Sequence, residues 1–140
     1  MLRPSLPGIS RIYSIPCRKL PASLMLGAIC GAVAYLFREQ LTPIPFGGVP
    51  KYQREGTLIN GRRAEKSTLE FITDRHPDDS DRLAFIVERP GGDCILIGTR
   101  EPNYPQVEYS DTTGAPDGDA AVRTYKITHT DIKSGLPLVL

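Results

Sequence analysis

The chain has no tryptophan, so its core has to be built from Ile, Leu and Val together with four Phe and six Tyr. Cysteine is scarce. Cys17 lies in a basic N-terminal stretch, Cys30 in an apolar run, and Cys94 stands alone in the remainder. That remainder can form no internal disulfide, which argues against a disulfide-stapled secreted module. Cys94 sits in an apolar strand-like run, where cysteine acts as a small hydrophobe. His76 and His129 are the only histidines, and neither has a partner at metal-ligand spacing.

Other chemistry is missing as well. Gly47-Gly48 and Gly91-Gly92 are not followed by Lys-Ser/Thr and open no helix after a strand, so neither is a phosphate loop. Asp78, Asp79 and Asp81, and the pair Asp117 and Asp119, lack the ligand order of a calcium loop and read as solvated turns. No Ser, His and Asp set follows a hydrolase motif. There is no internal repeat and no low-complexity segment. No cofactor or metal is expected, and an enzyme is the lesser expectation.

Acid is absent from the first 37 residues, which carry Arg3, Arg11, Arg18 and Lys19 for a charge of +4. The rest holds thirteen bases against sixteen acids, a net of −3. A basic arm, an apolar run and a mildly acidic body form the charge plan of a targeted or anchored protein. The body is not basic enough to suggest nucleic acid.

The 18 residues Leu20 to Phe37 are uncharged. As one helix they would cover about 27 Å, enough for the hydrocarbon core of a bilayer. Pro21 suits a first helical turn, and Tyr35 and Phe37 beside Arg38 resemble an interfacial anchor. Ser23, Gly27 and Gly31 recur at four-residue spacing. On a helix they form a small-residue stripe that would admit a partner's transmembrane helix, or that of a second copy.

Three targeting readings follow. Residues 1–19 resemble a mitochondrial presequence, and Arg11-Ile12-Tyr13-Ser14 resembles a processing site that would leave Ser14 as the new terminus. Pro4 and Pro7 weaken the amphipathic helix such a peptide needs. A secretory signal cleaved near Ala32-Val33-Ala34 is the second reading, and an uncleaved anchor in a bacterial inner membrane or the endoplasmic reticulum is the third.

The chain length of 140 residues suits one domain plus an anchor. Thr42 to Pro50 reads TPIPFGGVP, a semi-extended spacer whose Ile44, Phe46 and Val49 are available to pack on the body or lie at the interface. Leu83-Ala84-Phe85-Ile86-Val87 and Cys94-Ile95-Leu96-Ile97 flank Pro90-Gly91-Gly92. Pro presets φ and Gly accepts φ > 0, so a hairpin is predicted, central in its sheet because its strands are apolar on both faces. Asn60-Gly61 predicts a second tight turn. Thr68–Thr73, Val107–Tyr109 and Val122–Thr128 read as further strands, and Leu136–Leu140 as an edge strand that tolerates Pro137.

The expectation is a mainly β protein: a single transmembrane helix followed by a small antiparallel β-meander, barrel- or sandwich-like. Its organisation would be an arm at 1–19, a span at 20–37, a linker at 38–50 and a domain at 51–140. The functional expectation is a non-catalytic accessory or assembly subunit of a membrane complex. Its setting would be the mitochondrial inner membrane with the body in the intermembrane space, and its partners membrane lipid and a transmembrane helix. The alternatives are a membrane-tethered enzyme or ligand-binding barrel, with Tyr104, Tyr109, Tyr125 and Arg123 about a pocket, and a secreted or periplasmic domain released by signal cleavage. Arg62-Arg63 and Lys66 form a small basic patch suited to lipid phosphate or an acidic partner.

Overall fold

The computed structural model describes residues 8–31, 33–73, 82–112 and 122–140. In chain order its main elements are β1 (Arg11–Pro16), α1 (Leu24–Ile29), β2 (Ala34–Tyr35), β3 (Thr42–Pro43), β4 (Gly47–Ile59), β5 (Arg62–Thr73), β6 (Leu83–Glu88), β7 (Cys94–Ile97), β8 (Gln106–Thr112), β9 (Val122–Asp131) and β10 (Leu136–Val139). The chain is mainly β. A first sheet has the order β2-β10-β7-β6-β1-β3 and a second the order β4-β5-β9-β8.

Both turns expected from local chemistry form. Arg89 N–H donates to Asp93 O at 2.9 Å and Gly92 N–H to Arg89 O at 2.9 Å, closing the β6–β7 turn. Asn60 and Gly61 have φ of 52° and 76°, the double left-handed pair of a hairpin turn whose twist suits its strands. Every residue of β6 is buried, and β6 lies between β7 and β1. The expectation of a central hairpin is met.

The sheets pack face to face. Ile12, Leu83, Phe85, Val87 and Ile97 of the first sheet meet Leu69, Phe71, Tyr125 and Ile127 of the second in one apolar layer. On β9, Tyr125 and Ile127 point inward while Thr124 and Lys126 are exposed, the alternation of a strand with one wet face. The result is a sandwich rather than a meander. The chain changes sheet after β3, β5, β7 and β9, and β2 runs parallel to β10 while the other pairs are antiparallel. Leu136–Val139 is not an edge, because β10 lies between β7 and β2. Pro137 is tolerated there with an exposed side chain.

The single helix expected over 20–37 is a correction. Among the described residues no helix is long and apolar enough to cross a membrane. The helix in this stretch is α1, six residues long. Ser23 precedes it at φ 62° and Gly31 follows it at φ 87°, left-handed conformations that continue no helix. Glycine at 27 and 31 also lowers helix propensity. The decisive cause is the partner these residues find. Leu20, Leu24, Leu36 and Leu41 pack on Tyr13, Ile15, Ile86, Cys94, Leu96 and Leu138, on the face of the first sheet turned away from the second. Residues 17–43 therefore form a strap that leaves β1, crosses the sheet to the β2 edge and returns to β3 at the other edge. Residues of the expected arm, span and linker all enter the core, Ile44 among them, whereas Val49 is exposed.

An ion pair holds the strap's second end. Arg38 Nη2 donates to Glu88 Oε1 at 2.8 Å and its Nη1 to the Tyr13 hydroxyl at 3.1 Å. Glu88 is buried, and Arg11 Nε lies 3.7 Å from its second oxygen.

If the strap is core, Leu20, 2 % exposed, and Leu26, 64 % exposed, should respond oppositely to truncation. Leu20→Ala is expected to lower unfolding free energy by about 2–5 kcal/mol. Leu26→Ala should change it by less than about 0.5 kcal/mol. Urea unfolding followed by circular dichroism reads both, and a Leu20 variant as stable as the parent would show that the strap packs on nothing.

Candidate functional site

Period-two alternation sets the site. On β5, Leu69 and Phe71 face the core, so Ser67, Glu65 and Arg63 share their face. Arg54 and Tyr52 of β4 stand opposite Ser67 and Leu69 on that face. The β4–β5 hairpin runs past β9, whose pairing with β5 reaches only Glu65 opposite Asp131. Beyond that point β5 has no neighbour on its β9 side. Between it and the turn from β9 to β10 lies an open groove of about 300 Å³, lined by Arg54, Arg63, Glu65, Lys133, Ser134, Gly135, Leu136, Pro137 and Gly31.

Three cations and one carboxylate line this groove. Arg54 Nε is 3.8 Å from Glu65 Oε2, and Arg54 Nη1 donates to Gly135 O at 3.3 Å. Arg63 has no ion-pair partner among the described residues. The backbone at Gly135 approaches Tyr52 closely: φ is 72°, and a Cβ there would collide with the Tyr52 hydroxyl. That hydroxyl is 3.2 Å from Ser67 Oγ, and burial pushes its pKa up.

Behind the groove lies a buried polar pair. His129 and Ser134 are 2 % and 1 % exposed. Nδ1 of His129 is 2.7 Å from Ser134 Oγ, and Nε2 is 3.1 Å from the Asn103 carbonyl. A carbonyl only accepts, so Nε2 carries the proton and Nδ1 accepts the serine hydroxyl. Burial holds the His129 pKa below its usual value, opposed by the Asn103 bond and by Asp131, whose carboxylate lies 4.0 Å away. A serine hydroxyl on a neutral imidazole is the geometry of nucleophile activation. Here the hydroxyl is sealed from solvent and also lies 3.4 Å from the His129 carbonyl. The pair closes the β9–β10 turn and fixes one wall of the groove.

The residues singled out from the sequence fall elsewhere. Ser23, Gly27 and Gly31 do not share a helical stripe: Ser23 precedes α1 and its N–H donates to Glu101 Oε1 at 3.2 Å, Gly27 is within α1, and Gly31 lies beyond it at the groove. Arg11, Tyr13 and Ser14 are in β1, fully paired with β6, so a cut after Tyr13 would divide a strand. Cys94 is buried opposite Glu88, and burial, then that carboxylate, raise its thiol pKa.

The tyrosines do not surround a cavity. Tyr125 stacks on Phe71 at 5.5 Å between the sheets, and Tyr109 is tilted against Tyr125 at 5.8 Å with Arg123 over its ring. Tyr104 packs on the strap side, under Arg82. The patch of Arg62, Arg63 and Lys66 is divided, with Arg63 on the inner face and the other two on the outer. His76 and the acids Asp78, Asp79, Asp81, Asp117 and Asp119 lie outside the described residues, among which no metal-binding group occurs.

Fold and site define a two-sheet β protein with a cationic groove. No protein-family model, no curated protein and no solved structure matches the chain.

Ser134→Ala would leave Nδ1 of a buried imidazole without its donor, lowering stability by about 1–3 kcal/mol in urea unfolding. The depressed His129 pKa carries a sign. Between it and the unfolded value near 6.5 the unfolded chain binds more protons, so stability rises with pH through that window and is lost as pH falls below about 6.5. His129→Gln is expected to flatten this part of the pH profile of the urea midpoint.

Proposed function

We propose that the chain is a non-catalytic binding subunit, an accessory or assembly component of a larger complex, whose groove holds an acidic segment of a partner protein. The observation that carries this reading is the inner face of the overhanging hairpin. It presents Arg63, without a counter-ion among the described residues, beside Arg54 and Lys133, and the carboxylate in its lining is already engaged by Arg54.

Small-molecule sites are enclosed and mainly apolar. This groove is open and lined largely by charged and backbone groups, which suits carboxylates on an extended chain. Arginine forks meet carboxylates in paired hydrogen bonds. The β9–β10 turn, tied by the His129–Ser134 hydrogen bond, supplies a preformed wall, which lowers the ordering cost of binding.

A fluorescent hexaglutamate peptide titrated with the full chain tests this. Binding is expected to weaken with salt and to fall by about fivefold for Arg63→Glu, since an exposed charge pair is worth up to about 1 kcal/mol. Lys51→Glu, on the outer face, should have little effect. Equal binding by Arg63→Glu and the parent would refute the groove as the acidic site. Co-migration of the endogenous chain with a larger complex on a native gel tests the accessory role separately.

A further inference from the structure

The strap has two sides. Leu20, Leu24, Leu36 and Leu41 face the first sheet. Leu26, Ile29, Val33, Tyr35 and Phe37 face water, the last two 71 % and 73 % exposed. Five large apolar side chains exposed within twelve consecutive residues exceed the scattered exposure normal for a water-facing surface. Val33, Tyr35 and Phe37 lie along and beside the edge strand β2, which α1 contacts, and Tyr35 pairs with the exposed Val139 of β10.

The sequence that leads into this patch is basic. Residues 8–38 contain Arg11, Arg18, Lys19 and Arg38 and no acid. Arg18 and Lys19, both exposed, precede the strap's apolar stretch; Arg38 ends it, paired with Glu88 and followed by Glu39. Aromatic and aliphatic side chains preceded by the exposed cations Arg18 and Lys19 match the two layers of an anionic bilayer surface. Acyl boundary takes the rings and leucines, and headgroup phosphates and carboxylates take the cations.

We infer that the outer side of the strap is a membrane-docking surface for anionic lipid, which lies in the interface without spanning it. The 18-residue uncharged run thus serves two apolar surroundings at once. Its inner leucines are withdrawn into the protein core, and its outer residues enter the lipid. Residues buried on the sheet are not available to a bilayer, so attachment is shallow and reversible. This inference is independent of the groove and would survive its failure.

Flotation of the full chain with phosphatidylcholine vesicles, with and without phosphatidylserine, tests it. Binding is expected on the anionic vesicles, weakened by salt, and released by carbonate. The triple variant Leu26→Ser, Tyr35→Ser, Phe37→Ser should lose at least about tenfold in partitioning. Lys19→Glu should lose roughly fivefold or more. Val49→Ser, at an exposed valine of β4, should lose nothing.

Failure to float, equal binding to neutral and anionic vesicles, or unchanged binding by the triple variant would overturn the inference. Retention after carbonate would overturn it in favour of a spanning segment. Loss of a lipid-independent dimer in the triple variant would overturn it in favour of a second copy on this surface. The substituted side chains are exposed, and unchanged urea unfolding would confirm that the variants fold.

Discussion

A strand buried along its whole length needs an apolar cover on both sides, and β6 sets this requirement for the molecule. The second sheet supplies one cover through Leu69, Phe71, Tyr125 and Ile127. The other comes from Leu20, Leu24, Leu36 and Leu41 of the strap. Neither the hairpin β6–β7 nor its neighbours β1 and β10 could stay in water with one face bare. The Arg38–Glu88 pair follows from the same geometry. A buried carboxylate at the end of β6 needs a cation, and the strap delivers one as it turns back.

The groove depends on that frame at one remove. β9 is held by the inter-sheet core, and the His129–Ser134 bond fixes the turn that leaves it. The β4–β5 hairpin is longer than its neighbours, and its inner face is apolar over the inter-sheet core and charged along the groove. One strand thus supplies both core and binding wall, and the change occurs between Leu69 and Glu65. Tyr52 and Gly135 mark the seam, where side chain and backbone meet too closely for any residue but glycine.

Much of the β architecture was legible because its signals are local. Pro90-Gly91-Gly92 and Asn60-Gly61 impose backbone angles whatever surrounds them, and the alternation of Leu69 and Phe71 or of Tyr125 and Ile127 follows from strand geometry. The helix expected over 20–37 gives way to a strap for a physical reason. An uncharged run meets lipid and an apolar sheet on equal terms, and composition does not say which is nearby. The groove was illegible for another reason. Arg54, Arg63, Lys133 and Ser134 lie on three separate segments, and only the pairing register brings them together. The basic pair Arg62-Arg63 was visible, but β pleating sends its members to opposite faces.

The placement of β1 bears on how the molecule is made. β1 pairs with β6 some seventy positions later, and β2 with β10 more than a hundred later. Such distant pairings are slow to find, because long loops must close before any contact rewards them. On the ribosome the hairpins β4–β5 and β6–β7 can form early, whereas the first sheet stays incomplete until 136–139 have emerged. During that interval the strap leucines cover a sheet that still lacks β10, and part of their apolar surface waits in water.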